Sequence, residues 1–157
     1  MYNSSSDNSP NGSLLLAKMN SGTIWDNMDA ELKAALETVK VKVSQGGGSS
    51  TQDTIIDWEG KLFLPREHDL FSSRYNSVQA EWDVITQDQY YQENNTDSAR
   101  RKCRKTSSLG NDRYFAMSPY SGETGRLCGV EGEGYAGGYY TFFNSNSSFG
   151  VAVRFAL

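Results

Sequence analysis

The single histidine, His68, sits between Glu67 and Asp69 in the segment Pro65-Arg-Glu-His-Asp-Leu-Phe71. An imidazole beside carboxylates has the makings of a general base. It also needs a nucleophile or a metal partner, and the chain spaces none for it, so a structural or surface role is expected. The two cysteines, Cys103 and Cys128, show no zinc-ligand spacing with that imidazole and are too few for a disulfide framework. One bridge between them is open, while a well-packed domain favours two free thiols. Glu81, Asp83, Glu131 and Glu133 offer oxygens to calcium, but no clustered Asp/Asn/Gly loop of the EF-hand type accompanies them. Glu131 and Glu133 are also the candidates for a glycosidase-type carboxylate pair. Alternation would place both on one side of a strand with nothing beside them to tune one as the acid, so an acidic rim on a binding surface is the stronger reading. The glycines of Gln45-Gly-Gly-Gly-Ser-Ser-Thr51 lack the Gly-Lys-Ser/Thr ending and the preceding buried strand of a phosphate loop, and read as a flexible loop without internal structure. No catalytic residue, metal ligand or cofactor is expected, and the chain reads as a non-enzyme.

The chemistry that stands out is recognition. More than half of the aromatic residues lie from Tyr114 onward, and Tyr135, Tyr139, Tyr140, Phe142 and Phe143 are embedded in Gly, Ser and Asn. Tyr offers a large rigid contact with two torsions to freeze, and Gly, Ser and Asn adapt around it, the mixture that antibody loops use. Residues 129–146 have little aliphatic content and no clean alternation, which fits a binding surface better than a strand buried on one face.

A chain of 157 residues is one domain, able to bury about two thirds of its unfolded surface. Its net charge of −4, with Lys and Arg spread out apart from Arg100-Arg101-Lys102-Cys103-Arg104-Lys105, gives no general nucleic-acid footprint. That cluster follows Thr96-Asp97, a plausible N-cap, and reads as the C-terminal end of a solvated helix rather than a phosphate site. No apolar run is long enough to span a bilayer, and the polar start has no signal-peptide hydrophobic region. Direct membrane insertion is therefore not expected, and a C-terminal fragment of a longer chain is a permitted reading.

Positioning elements follow from the pattern. Residues 1–12 form a Ser/Asn-rich lead, too polar for a core element unless tied down. Residues 13–20 predict a short helix capped by Ser13 and stopped by Ser21-Gly22. Met28, Leu32, Ala35, Leu36 and Val39 recur at helical spacing and predict a second helix that runs into the alternating strand 39–43. Ile55, Ile56 and Trp58 precede a strand at 61–64, and Pro65 suits the first position of a helix over 65–71. From 75 to 95 the pattern is weak, with Trp82, Val84 and Ile85 as possible core anchors and 87–95 an exposed loop. Strand candidates at 113–118, 125–130, 135–143 and 149–157 complete the chain, with Val151, Val153, Phe155 and Leu157 as core of the closing strand. Helices first and strands last predict an α+β domain with an antiparallel sheet.

Four segments carry a resemblance. Trp25-Asp-Asn-Met-Asp-Ala-Glu-Leu-Lys-Ala-Ala-Leu-Glu-Thr-Val-Lys40, Gly60-Lys-Leu-Phe-Leu-Pro-Arg-Glu-His-Asp-Leu-Phe71, Tyr114-Phe-Ala-Met-Ser-Pro-Tyr120 and Phe149-Gly-Val-Ala-Val-Arg-Phe-Ala-Leu157 resemble, in order, four blocks of an uncharacterised bacterial and phage domain family. Its members resemble the C-type lectin fold of formylglycine-generating enzymes. The resemblance implies a single C-type lectin-like domain over 13–157, N-terminal helices packed on a C-terminal antiparallel sheet. Where the family often has Trp-Leu-Arg-Ser-Pro this chain has Phe115-Ala-Met-Ser-Pro119, which implies that Ala116 is exposed or free to vary. The Gly/Tyr/Phe-rich segment is similar to the variable region of diversity-generating retroelement proteins, in which adenine-directed mutagenesis of Asn codons yields Tyr, Phe, Gly, Ser, Asp or Thr. That likeness implies a variable ligand-binding region over 114–146, with Ala116, Tyr120, Gly129, Tyr135, Gly137, Gly138, Tyr139, Tyr140, Phe142 and Phe143 as its contact residues. Glu131 and Glu133 do not fit, since no change of adenines turns an Asn codon into a Glu codon. The implied function is non-enzymatic binding of a protein or glycan on a target cell, by a phage-tail or cell-surface protein for which a homo-oligomer is open. A fixed-specificity lectin-like or structural domain is the alternative. Enzymatic chemistry of the formylglycine-generating type would require Cys103 and Cys128 to converge on copper.

Overall fold

The computed structural model describes residues 1–4, 7–48, 50–85, 96, 114–130, 142–144 (as backbone) and 151–157. Its first helix is α1 (Leu14–Ser21), where the Ser13 hydroxyl accepts from the Leu16 N–H at 3.2 Å and Gly22 ends the helix in extended backbone, as the sequence predicts. Leu15, Leu16 and Met19 face inward. A four-residue turn, α2 (Thr23–Asp26), follows without a sequence signal. The next helix, α3 (Ala30–Ala35), is capped by the Asp29 carboxylate, which accepts from the N–H groups of Glu31 and Leu32 at 2.9 and 3.1 Å.

This helix is shorter than the apolar spacing predicts. Leu36 is already extended, and the Glu37 N–H is taken at 3.1 Å by the carbonyl of Ala156, so pairing with the C-terminal segment ends the helix before Val39. Strand β1 (Val39–Ser44) then shows the predicted alternation, Val41 and Val43 buried against exposed Lys40 and Lys42. It pairs antiparallel with β2 (Ile55–Gly60), and the ion pairs Lys40–Glu59 and Lys42–Asp57, each 3.0 Å, lie on the exposed face.

The strand expected at 61–64 lies earlier, in β2. Past Gly60 the Asn20 side chain takes the backbone: its Oδ1 accepts from the N–H groups of Lys61 and Leu62 at 2.7 and 3.0 Å, and its Nδ2 donates to the Leu62 carbonyl at 2.7 Å. These bonds replace ladder pairing, and Phe63 alone bridges to Arg154. The glycine loop between the strands is also more ordered than its composition suggests. Gly46 and Gly47 adopt φ of 64° and 76°, and the Thr51 hydroxyl donates to the carbonyls of Gly46 and Gly48. Pro65 precedes the helix rather than opening it; α4 spans Glu67–Leu70 with Arg66 at its N-cap. The weakly patterned stretch contains a further helix, α5 (Gln79–Val84), with Glu81 and Ile85 buried and Val84 exposed.

A second sheet has the order β3 (Tyr114–Pro119), β4 (Arg126–Val130), β5 (Phe142–Asn144), all antiparallel. The molecule is thus α+β, with a hairpin set between the helices and the three-stranded sheet rather than helices followed by strands. Every residue of β3 is buried, and the 65–67 stretch covers it through Met117 N–H to the Pro65 carbonyl at 2.9 Å. Residues 151–157 form no ladder. Of the residues expected in the core, Val151 packs against it half-buried, but Val153, Phe155 and Leu157 are 41%, 48% and 72% exposed, and Ala152 is buried instead. The double hydrogen bond between Phe63 and Arg154, 3.0 and 2.8 Å, sets the register of this segment.

The polar lead belongs to the core. Tyr2 is fully buried, 6.0 Å from the Phe115 ring, within a cluster that includes Leu16, Met19, Val43, Leu62, Leu64 and Met117. Asn8, also fully buried, ties three segments together. Its Nδ2 donates to the carbonyls of Glu123 and Arg126, its Oδ1 accepts from Gly47, and its own N–H donates to Thr124. These hydrogen bonds satisfy the polar chain that composition alone would leave in water. A smaller cluster of Leu70, Phe71, Tyr114, Val130 and Ala152 closes the opposite side of β3.

Candidate functional site

Two regions compete for function. The first is the end of the three-stranded sheet. Strand β4 ends at Val130 and β5 begins at Phe142, and because Phe142 pairs with Cys128 these two strand ends lie at the same end of the sheet. Tyr135, Gly137, Gly138, Tyr139 and Tyr140 belong to the connection between them and lie outside the described residues, as do Glu131, Glu133 and the cluster 100–105. Phe142 and Phe143 fall within β5, opposite Cys128 and Leu127. Tyr120 is half-buried, bridged to Ser77 at the turn between β3 and β4.

Two of the expected contact residues are enclosed. Ala116 is only 1% exposed and Gly129 is buried, both within the ladder, so the exposure expected for Ala116 is not found. Every residue of β3 is buried, so the position of Ala116 is closed rather than open.

The second region was not foreseen from the sequence. Three carboxylates, Glu67, Asp69 and Glu81, are buried between α4, α5, β1 and β3. Glu67 accepts from three successive backbone N–H groups, Tyr75, Asn76 and Ser77, at 3.3, 2.9 and 2.9 Å, and from the Ser77 hydroxyl at 2.6 Å. Such a run of N–H groups is an anion nest, here filled by the protein's own carboxylate. Asp69 Oδ2 accepts from the backbone N–H of Arg66 at 2.8 Å, and the two side chains form a bidentate pair at 2.7 and 2.9 Å. Arg154 adds a second cation 3.4 Å from Asp69, and Arg66 Nη1 donates to the Lys42 carbonyl. Asp69 therefore ties α4 to the C-terminal segment, and Arg66 ties it to β1.

Glu81 is less well supported. Oε2 accepts from the Ser44 N–H at 2.8 Å and Oε1 from the Ser118 hydroxyl, which itself accepts from the Glu67 N–H at 2.8 Å. Burial is the main cause that pushes the Glu81 carboxyl up to about 7, against the pull of those two donors and of Arg66, while Glu67 pushes the same way as burial. A serine bonded to a carboxylate has the form of a nucleophile and its base. Ser118 and Glu81 are both fully buried, so no substrate reaches them and the arrangement serves the fold.

His68 takes the structural role expected of it. Its ring stacks on Trp82 at 3.6 Å with 11° between planes, and Nδ1 lies 3.2 Å from the Trp82 carbonyl. A carbonyl oxygen can only accept, so the proton sits on Nδ1. Burial holds its pKa below the ordinary value. Cys128 is a free, buried thiol, and burial first, then the nearby Glu67 and Glu81, raise its pKa well above the usual range. That makes it a poor nucleophile or metal ligand. Cys103 lies outside the described residues. Among the described residues, no group of three or more His, Cys, Asp or Glu side chains is placed to hold a metal, and no helix is long and apolar enough to cross a membrane.

Sequence signals for the carboxylate cluster are uneven. The acid three residues after Arg66 is the spacing of a helix N-terminus, where an N3 carboxylate reaches back to the N-cap N–H. Glu81 has no counterpart, since its partners Ser44 and Ser118 lie 37 residues away on either side. Comparison of the chain with protein-family models, curated proteins and solved structures gives no match. The architecture itself is α+β, with two small antiparallel sheets among short helices.

Proposed function

We propose that this chain is a non-enzymatic ligand-binding protein of the receptor or adhesin type, built on a C-type lectin-like frame. Its binding surface is the Gly/Tyr/Phe segment between β4 and β5, diversified by a retroelement and directed at a protein or glycan on a target cell, from a phage tail or a cell surface. The observation that carries the reading is where the recognition-type residues attach. Tyr135, Tyr139 and Tyr140 lie between strand ends joined in one ladder, Cys128 to Phe142 and Arg126 to Asn144. A rigid frame under a variable connection is how binding loops tolerate sequence change. The frame draws its stability from elsewhere: Tyr2, the α1 face, β1, β3 and the carboxylate ties of Glu67 and Asp69. Ala116 and Gly129 support the ligand surface from inside, and Tyr120 remains a contact candidate beside it.

The test is codon-by-codon sequencing of the gene across its natural population from 113 to 157. Substitution confined to adenine-bearing codons within the 131–146 stretch, with β3, β4 and 151–157 constant, is expected. A uniform sequence would remove diversification and leave a lectin-like or structural module of fixed specificity. In parallel, replacing Tyr135, Tyr139 and Tyr140 with Ser is expected to shift the thermal midpoint by no more than a few degrees. A collapse of the midpoint would make these residues core.

A further inference from the structure

We propose that Glu81, Ser118 and Ser44 form a proton-operated latch, closed when Glu81 carries a proton and α5 is held against β1 and β3, and loosened when that proton leaves. The inference is independent of the ligand reading. Its basis is the contrast between two neighbouring buried carboxylates. Glu67 has four donors. Glu81, at 0% exposure, has two and no ion pair among the described residues, since Arg66 spends its guanidinium on Asp69 and on the Lys42 carbonyl. An ionised carboxylate so placed is under-solvated, and the nearby Glu67 carboxylate adds a smaller repulsion.

A proton removes that cost without breaking the geometry. Protonated on Oε1, Glu81 donates to Ser118 Oγ, the Ser118 hydroxyl proton rotates off that contact, and Oε2 still accepts from the Ser44 N–H, so α5 stays bonded to both strands. Ionisation leaves the charge in place until α5 moves or water enters. Among the described residues, the charged and titratable groups that interact with Glu81 are Arg66 at the N-cap of α4, Glu67 on α4, Cys128 on β4 and Tyr2 from the lead, while His68 stacks on the neighbouring Trp82. His68 is shifted downward rather than upward, and its effect on stability has the opposite sign. A histidine held below its ordinary pKa contributes stability that is present at high pH and lost on acidification. A carboxyl pushed from 4.5 to about 7 contributes stability that is present below 4.5 and lost as pH rises through about 7.

The experiment follows thermal midpoints and hydrogen exchange of the full chain from pH 5 to pH 8, with intrinsic exchange rates divided out, in wild type and in Glu81→Gln. Glutamine reproduces the neutral acid: it accepts from Ser44 and donates to Ser118. Wild type is expected to lose protection at the Ser44 N–H and across α5 as pH rises, on the order of a hundredfold. Glu81→Gln is expected to lose most of that pH dependence. A wild type whose protection is flat or rises over this range overturns the latch, and so does a Glu81→Gln variant that tracks wild type. Should Glu81→Gln fail to fold, the carboxyl carbon signal of Glu81 in wild type decides: titration between pH 5 and 8 in step with α5 exchange supports the latch, and no titration there overturns it.

Discussion

Tyr2 places a phenol in the core with no hydrogen-bond partner for its hydroxyl among the described residues. The Ser13 hydroxyl instead donates to the Tyr2 carbonyl at 3.1 Å, which helps to hold the lead against the start of α1. A buried hydroxyl without a partner costs about 1–3 kcal/mol. Tyr2→Phe is therefore expected to raise stability by about 1 kcal/mol in urea unfolding, while Tyr2→Ala loses about 3–5 kcal/mol through the cavity it opens. A loss in the Phe variant would show that the hydroxyl does have a partner. The same residue scale explains why Glu67 and Asp69 read poorly from sequence. Beside His68 they look like catalytic partners, yet each is turned toward backbone N–H groups or arginine, and the imidazole turns to Trp82.

At the scale of elements, the sequence is most legible where local chemistry and tertiary packing agree. Ser13 marks the start of α1 because its hydroxyl meets an orphan N–H within one turn. The valines of β1 mark a strand because the period of two matches the face that packs on the core. Agreement fails where a distant side chain takes the backbone. Lys61 and Leu62 carry a strand-like pattern, but Asn20 takes their N–H groups. Within the β1–β2 connection the glycines are unequal. Gly46 has φ of 64°, and a Cβ there would meet Asn8 Oδ1 at 2.8 Å and Pro119 Cγ at 3.1 Å, whereas at Gly48 it would come no nearer to the described residues than Thr51 Oγ1 at 4.0 Å. Gly46→Ala is expected to cost about 1–3 kcal/mol and Gly48→Ala less than about 0.5 kcal/mol, by denaturant unfolding of each variant. Equal costs would mean that the loop adjusts freely and that its hydrogen bonds do not hold it.

For the whole molecule, the ends of the chain are structural. Asn8 joins the lead to the glycine loop and to the turn between β3 and β4, and residues 154 and 156 bond back to Phe63 and Glu37. Removing residues 1–9 is expected to destabilise the domain by at least about 4 kcal/mol, from the vacated Tyr2 site and the orphaned partners of Asn8. Circular dichroism melting of the shortened chain checks this, and an unchanged midpoint would return the lead to the peripheral role its composition suggests. Composition and local periodicity by themselves determined the α+β class, the cap of α1, the alternation of β1, the strands β3 and β4, and the concentration of recognition-type residues near the C-terminus. Tertiary structure alone decided that Tyr2 and Asn8 are core, that Val153 and Phe155 face outward, that Ala116 is enclosed, and that the buried Ser118 hydroxyl links the Glu81 carboxylate to the backbone N–H of Glu67. Local patterns report on neighbours within a turn or a strand. Burial of a polar residue depends instead on whether a distant backbone or side chain supplies its hydrogen bonds, and that information exists only once the chain has closed on itself.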